Sequence, residues 1–482
     1  MLIIKEVNLN EDLDFISQLP DNLLSRIISF LSINEAARTS ILSKRWIHLW
    51  KNVFHLDFDW ANMIKFIPKY YHHRLCKEFF NFIIVAEEHA KKYGEIVNTI
   101  LDQHVGDDLT SCCFKHFHRN VYDGDFKSWV EFIVESKKLS FLSLECKPPS
   151  DTYKTLVMAK FKPKIFSNLC SLELTNYELE GSILSAFESC KKLKILKLKK
   201  ISMVTSIING ILENCFGLEK FCLIQSYGFD SLKIENKNLK YLELLGLNVK
   251  EIDVNAEELQ VLVIDSLRCP PKGIRIYSRN LRNFSYACNL IPQEIESQDI
   301  LRTRDALENC SDLLVYKPIN IFQNLLTLSI DLDLNNIRDA LVFSYILTTC
   351  FYLNTLELTI PVKKVSASTA TSDDCALPFP KSMFWENREV SGFIRKNLKF
   401  VKVKGFTGKE LEVSFVQHLI KKAYMMKKLH VICDSTIMDE AKDLQSLQSA
   451  SVNLSILLES EYQEYQEDQT SILFMKPLSS LI

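Results

Sequence analysis

Between residues 139 and 358 the apolar positions keep one recurring spacing: a first residue, a second three positions on, and a third two beyond that. Runs of this form open at Leu139, Leu169, Leu193, Leu218, Leu239, Leu259, Leu281, Leu325 and Leu353, with Leu, Ile, Phe or Tyr in the later places. The second and third residues alternate with polar ones, which predicts a short strand burying one face. The segments Ser182 to Ser189 and Thr205 to Asn214 carry helical spacing instead, so each strand is expected to return through a backing helix. Cys190, Cys215 and Cys350 each stand three residues before an opening Leu and read as small core residues. Asn168, Asn238, Asn280, Asn324 and Asn397 each sit immediately before an opening Leu.

From Leu169 to Leu281 the openings are 24, 25, 21, 20 and 22 residues apart. That falls within the leucine-rich-repeat range of about 20–29 residues. One such unit leaves its apolar face bare, and stacking buries it, so the expected fold is an α/β solenoid of parallel strands backed by helices. The steps from Leu281 to Leu325 and from Leu353 to Leu398 are longer, at 44 and 45 residues. The first holds an acid-rich stretch, Gln293 to Asp305, and an echo of the opening at Cys310 to Leu313. The second holds Ser366 to Ser372, expected as an exposed loop.

The first fifty residues have a different period. Leu19-Pro20-Asp21 suits a helix start, and Leu23, Leu24, Ile27, Ile28 and Leu31 then fall at helical spacing. Asn34 can cap a short second helix. Ser43 can cap a third, with Leu42 as a staple and Trp46, Leu49 and Trp50 as its apolar side. Three short helices cannot bury that much apolar surface alone, which argues for a bound protein. The run from Ile16 through Leu31, then Ala36 to Trp46 with Leu42-Ser43-Lys44, and on to Trp50, resembles the plant F-box. The resemblance implies docking on a Skp-family adaptor, and through it a cullin, by the Leu-Pro turn, the first helix and the Leu-Ser-Lys-Arg-Trp segment. Asn22 departs from the acid the family often carries.

A second resemblance lies near the C-terminus. Asn397-Leu398, Val401, Val403, Gly405 and Gly408 lead through Val413, Val416, Leu419 and Ile420 to Leu429 and Val431. This strand, glycine turn, helix and strand resembles the FBD domain of plant F-box proteins. Trp385 fits that family, whereas Ser391-Gly392 stands where it more often has Pro-Cys. Ser128-Trp129-Val130 resembles the family's lead into its repeats. The expected organisation is a tail over 1–12, the F-box over 13–59, a connecting cap over 60–136, repeats over 137–390, the FBD unit over 391–435, and a tail over 436–482 that is partly helical and poorly anchored.

Composition narrows the function. Hydrophobic residues make up 47% and charged residues 24%, with mean hydropathy near zero, as in a folded chain. The net charge of −2 pulls the chain toward neither nucleic acid nor an acidic membrane. The N-terminus lacks the basic start of a signal peptide, and Phe79 to Ala86 is too short to span a bilayer. Cytoplasm and/or nucleus is therefore expected, with the fourteen cysteines as free thiols.

No phosphate loop, dinucleotide fingerprint, zincin helix or nucleophile elbow occurs, so neither catalysis nor a cofactor is expected. Cys112, Cys113, His116 and His118 could be read as metal ligands, but alternation with Phe114 and Phe117 favours a half-buried strand and no metal. The lysines between Lys191 and Lys200 fill solvated repeat positions and lack interleaved aromatics, which disfavours nucleic acid.

The chain thus reads as a substrate-recognition subunit of a cullin ubiquitin ligase of the SCF type. An interaction scaffold without a ligase role, or a small-molecule-dependent F-box receptor, would share most of these features. Outward positions are polar in most repeats. Three consecutive ones differ: Lys220, Cys222, Ile224; Tyr241, Glu243, Leu245; Val261, Val263, Asp265. Tyr241, Leu245, Val261 and Val263 are the expected centre of an unknown target's site.

Overall fold

The computed structural model describes residues 15–16, 18–64, 79–147, 156–269, 273–287, 323–361, 384–386 and 396–460. The chain divides into two compact units, Met1–Asn280 with Asn289–Thr303, and Leu281–Cys288 with Arg304–Ile482.

The first unit opens with α1 (Asp21–Ile28), entered through Pro20 in extended conformation with an acid in the first turn. A reciprocal capping box between Ser32 and Glu35 opens α2 (Ile33–Arg38). Asn34 is therefore not the cap; its amide donates to the Asn62 carbonyl at 2.6 Å. The expected third helix is instead two 3-10 turns, Thr39–Ile41 and Trp46–Asn52. The three-residue step from Trp46 to Leu49 serves that tighter winding equally well. Leu42 is exposed and staples nothing.

The chain then passes directly into β1 (His55–Asp59), and β1 lies parallel to β2 (Ser111–Phe117). Between them run α3 (Trp60–Met63) and α4 (Phe79–Gln103). After β2 come α5 (His118–Tyr122), α6 (Asp125–Ser136), β3 (Phe141–Lys147), β4 (Leu156–Val157), β5 (Ser171–Thr175) and β6 (Tyr177–Glu178). Next are β7 (Ile195–Lys199), α7 (Thr205–Asn214), β8 (Lys220–Ile224), β9 (Ser231–Glu235) and β10 (Tyr241–Leu245). The unit's described strands end with β11 (Glu251–Asn255), β12 (Val261–Asp265) and β13 (Ile274–Tyr277).

The front sheet of this unit runs β1-β2-β3-β5-β7-β8-β10-β12. From β5 to β12 every ladder is parallel and unshifted, so Ser171, Ile195, Lys220, Tyr241 and Val261 stand side by side. Each strand starts two residues after its opening Leu, and the second and third apolar residues of every run from β3 to β12 are buried.

Two expectations change here. Within residues 60–136, expected as a connecting cap, β2 already belongs to the front sheet, as does β1 just before that span. Val53, Leu56, Phe58 and Leu109, Cys112, Phe114 repeat the spacing with few leucines, and all are buried, Phe58 stacking on Phe114 at 4.9 Å. The return path also differs. A full backing helix, α7, occupies the 25-residue repeat, while Ser182 to Ser189 supplies only the 3-10 turn Gly181–Ser185. The next three returns are strands, forming a second parallel sheet β9-β11-β13. Repeats of 20 to 22 residues leave room for an extended return but not for a helix of several turns.

The second unit contains β14 (Asn283–Ala287), β15 (Thr327–Asp331), α8 (Ile337–Thr349), β16 (Thr355–Thr359) and β17 (Phe400–Phe406). It continues with α9 (Glu410–Lys422), β18 (Lys428–Cys433), α10 (Met438–Lys442) and β19 (Ser455–Ser460). Its strands pair in parallel in the order β14 to β19, so each long insertion still occupies one place in the stack. Gln293 to Asp305, Cys310 to Leu313, Ser366 to Ser372 and Ser391-Gly392 lie outside the described residues.

The strand, glycine, helix and strand read near the C-terminus are β17, α9 and β18, in ladder with β16. Gly405, at φ +73°, forms a bulge where a Cβ would meet the Ile360 carbonyl oxygen at 2.2 Å. Trp385 is fully buried, donates to the Leu411 carbonyl at 3.0 Å and packs on Phe415. Residues 436–460 are better anchored than expected, with Ser451 Oγ donating to the Met426 carbonyl and β19 extending the sheet, while 461–482 lie outside the described residues. The β19 repeat is hard to see because Asn453 stands in the opening place, with Ile456 and Leu458 only half-buried.

Candidate docking surfaces

α1 sends its apolar residues to two sides. Leu24 and Ile28 are buried with Trp46, Leu49 and Trp50, while Ser25 Oγ donates to the Leu49 carbonyl. These five were expected among the adaptor contacts. In this chain they form the F-box's own core, because the 3-10 turns fold back against α1. The outer side carries Pro20, Leu23, Ile27, Leu31, Leu42, Ser43 and Lys44, all exposed, with Leu19 half-buried. The expected contact residues missed its most protruding members: Phe30 and Ile41 are both 87% exposed, and Phe15, Ile16 and Ile47 join them. The signal for Phe30 and Ile41 was present in the sequence, as apolar residues falling off the helical stripe.

Arg45 ties this surface together. Its Nε donates to Asp21 Oδ1 at 2.6 Å and its Nη2 donates to the Leu19 carbonyl. The Leu-Pro turn is thereby held beside the Leu-Ser-Lys segment. The F-box continues into the solenoid without a linker: the Lys51 carbonyl accepts from the Val105 and Gly106 amides, Phe54 N donates to Ser29 Oγ, and His104 Nε2 meets the Val53 carbonyl.

On the front of the first unit the alternation places Tyr241, Leu245, Val261 and Val263 on the outward side, opposite buried Leu242, Leu244, Leu262 and Ile264. Tyr241 pairs with Val261, Glu243 with Val263 and Leu245 with Asp265, so the four are contiguous. All four are half-buried, as expected of side chains standing on a sheet. Lys220 Nζ lies 4.3 Å from the Tyr241 ring centroid. Cys222 faces outward by register yet is only 1% exposed, a short thiol between longer neighbours; burial raises its pKa.

The suspected metal ligands separate. Cys112 and His116 point inward while Cys113 points outward, and His118 begins α5. His116 Nδ1 donates to the Phe117 carbonyl at 2.8 Å, and Tyr177 Oη donates to Nε2 at 2.5 Å. Burial lowers the His116 pKa to about 4, which keeps the ring neutral for that pairing. Among the described residues no three His, Cys, Asp or Glu side chains converge as a metal site would require. The described cysteines are free. The basic run is dispersed: Lys194 and Lys240 both bind Glu219, Lys192 donates to Asn168, and Lys197 and Lys199 stand on the front.

The model for the family described as "At1g61320/AtMIF1, LRR domain" matches residues 100–462. The chain belongs to that leucine-rich-repeat family. The F-box model matches residues 16–56. Three Arabidopsis thaliana proteins are similar to the chain over part or most of its length. "F-box protein At3g60790" is 31% identical over 265 residues, covering 53% of this chain and 50% of the relative. "F-box protein At1g80960" is 26% identical over 441 residues, covering 87% and 84%. "Putative F-box/FBD/LRR-repeat protein At5g62970" is 28% identical over 257 residues, covering 47% and 56%, and its name includes the FBD unit. The first of these matches thus spans about half of that relative's length. No described helix is long and apolar enough to cross a membrane.

Proposed function

We propose that this F-box leucine-rich-repeat protein is a non-catalytic receptor subunit of a cullin ubiquitin ligase of the SCF type. In this reading the outer F-box face docks a Skp-family adaptor, and the front of the first solenoid unit holds the target. The observation that carries it is the F-box match combined with large apolar side chains left bare on one side of a short helical unit. Apolar exposure concentrated on so small a unit is the usual mark of a protein contact site.

The mechanism is proximity. A target held on the front sheet, with a conjugating enzyme delivered through the F-box, meets it as an effectively intramolecular partner. Tyr241, Leu245, Val261 and Val263 are the proposed target anchors, and cytoplasm and/or nucleus the proposed location.

The test is binding of a purified Skp-family adaptor to the full chain and to an Ile41→Asp, Leu42→Asp variant. Binding by the first alone supports the proposal. Equal binding by both, with intact folding, removes its adaptor half. Proximity labelling with the proteasome inhibited, comparing the chain with a Tyr241→Asp, Val263→Asp variant, tests the target half.

A further inference from the structure

The residue just before each front strand forms a column along one rim of the stack. In each step the amide of the next column residue donates to the carbonyl of the one before. In the first unit the successive members include Cys170, Lys194, Glu219, Lys240 and Gln260. In the second they are Arg282, Leu326, Asn354, Lys399 and Lys427, after which Ser455 N closes on the Lys427 carbonyl.

The same position is electrostatically balanced in one unit and not in the other. In the first, Glu219 sits between Lys194 and Lys240 and binds both, at 2.9 and 3.0 Å. In the second, residues 350–355, 396–400, 421–428 and 449–455 contain no Asp or Glu at all. They hold six lysines: Lys396, Lys399, Lys421, Lys422, Lys427 and Lys428. None of the six forms a side-chain ion pair or hydrogen bond among the described residues, and Lys396, Lys421, Lys427 and Lys428 are exposed. The same stretches carry exposed apolar side chains: Tyr352 and Tyr424 at 58%, Met425 at 48%, Phe400 at 43% and Val452 at 99%.

We infer that this rim of the second unit docks an acidic segment of a partner protein, in which carboxylates alternate with apolar side chains. Lys399 and Lys427 occupy adjacent places in the column, and like charges on neighbouring coils repel one another; a partner's carboxylates relieve that repulsion while its apolar groups cover the exposed rings.

Two other anionic partners fit less well. Nucleic-acid phosphates are usually met by arginine or lysine together with free backbone amides and small polar side chains. Here the column amides are spent on the neighbouring coil's carbonyls and the clustered cations are lysines; Tyr352, Tyr424 and Phe400 do offer ring planes, so the oligonucleotide arm of the test below decides between the two. A membrane would require apolar side chains that protrude, whereas all but Val452 are only about half exposed. The inference stands apart from the adaptor and target surfaces, whose residues it does not use.

The test uses the full chain and a short fluorescent peptide alternating Glu with Leu and Tyr. The companions are a peptide with Lys in place of Glu, single-stranded oligothymidylate, and vesicles containing phosphatidylserine. The acidic peptide should bind, and weaken steeply with added salt. A Lys399→Glu, Lys427→Glu variant should lose about tenfold or more in affinity, and a Lys194→Glu control none. If the charge-reversed variant fails to fold, Lys427→Gln with Lys428→Gln replaces it, with a smaller loss expected. Equal binding by wild type and the folded variant overturns the inference. So does absence of acidic-peptide binding, or preference for the oligonucleotide or the vesicles.

Discussion

The F-box and the front of the first solenoid unit both present apolar surface, but they do so by different means. On the F-box the outward residues are bare: Phe30 and Ile41 protrude almost wholly into solvent. On the front sheet Tyr241, Leu245, Val261 and Val263 are held between neighbouring strands and stay half-covered. A short helical unit has little surface to share, so what it leaves uncovered is fully uncovered. A sheet spreads its outward residues into a flat patch whose character changes strand by strand. The first arrangement suits one constant partner, and the second can be retuned without disturbing the core.

The sharpest way to break this contrast is to strike the inner side of the F-box. Trp50→Ala should cost about 3–5 kcal/mol of stability, as for other large core truncations. Denaturant melts would show it, and a change near zero would return Trp50 to the docking surface.

The boundary between the two regions can be tested by pH. His116 is fully buried beneath the front sheet and keeps a pKa near 4, well below its unfolded value. Above the unfolded value near 6.5 both states are neutral and stability is unaffected. As pH falls from there toward 4 the unfolded state takes the proton first, so stability should drop by roughly 3 kcal/mol. A His116→Phe variant should flatten that slope in melts at pH 7 and 4.5. An unchanged slope would mean that β2 is not an integral front strand.

On the outer side, Ile27→Asp with Phe30→Asp should weaken adaptor capture by about 2 kcal/mol or more without moving the thermal midpoint. Tyr241→Asp with Val263→Asp should do the same for target capture while sparing the adaptor. If either pair unfolds the chain, those residues belong to the core and the contrast fails there. The smallest effect belongs to the solenoid's balanced rim: Glu219→Gln should cost under about 1 kcal/mol, read by thermal melting in low and high salt.

Most of the stack was legible because leucine at a fixed spacing is hard to mistake. Every opening Leu from 139 to 353 is followed two residues later by a front strand. The stack extends beyond that signal at both ends. Val53 and Leu109 open repeats whose later places hold Leu56 and Phe58, and Cys112 and Phe114, and in the last repeat the opening place itself is the polar Asn453. The fold requires only a side chain of suitable volume at those places. The strand returns were missed for another reason: step length, more than residue type, decides between a helix and an extended path. In the F-box, sequence spacing located the apolar residues but could not say which faced inward. That division depends on the 3-10 turns folding back on α1, a tertiary fact with no local signature.

The junction without a linker gives the molecule a gauge length. Residues 51–54 bond into the first coils on one side and to Ser29, the residue that closes α1, on the other, so nothing between them serves as a swivel. From β1 to β10 the front sheet makes six lateral steps, about 29 Å at the usual strand spacing. The distance between the two proposed docking surfaces is therefore counted in whole coils. Removing one coil would draw a bound target about 4.8 Å nearer the F-box and leave both surfaces unaltered.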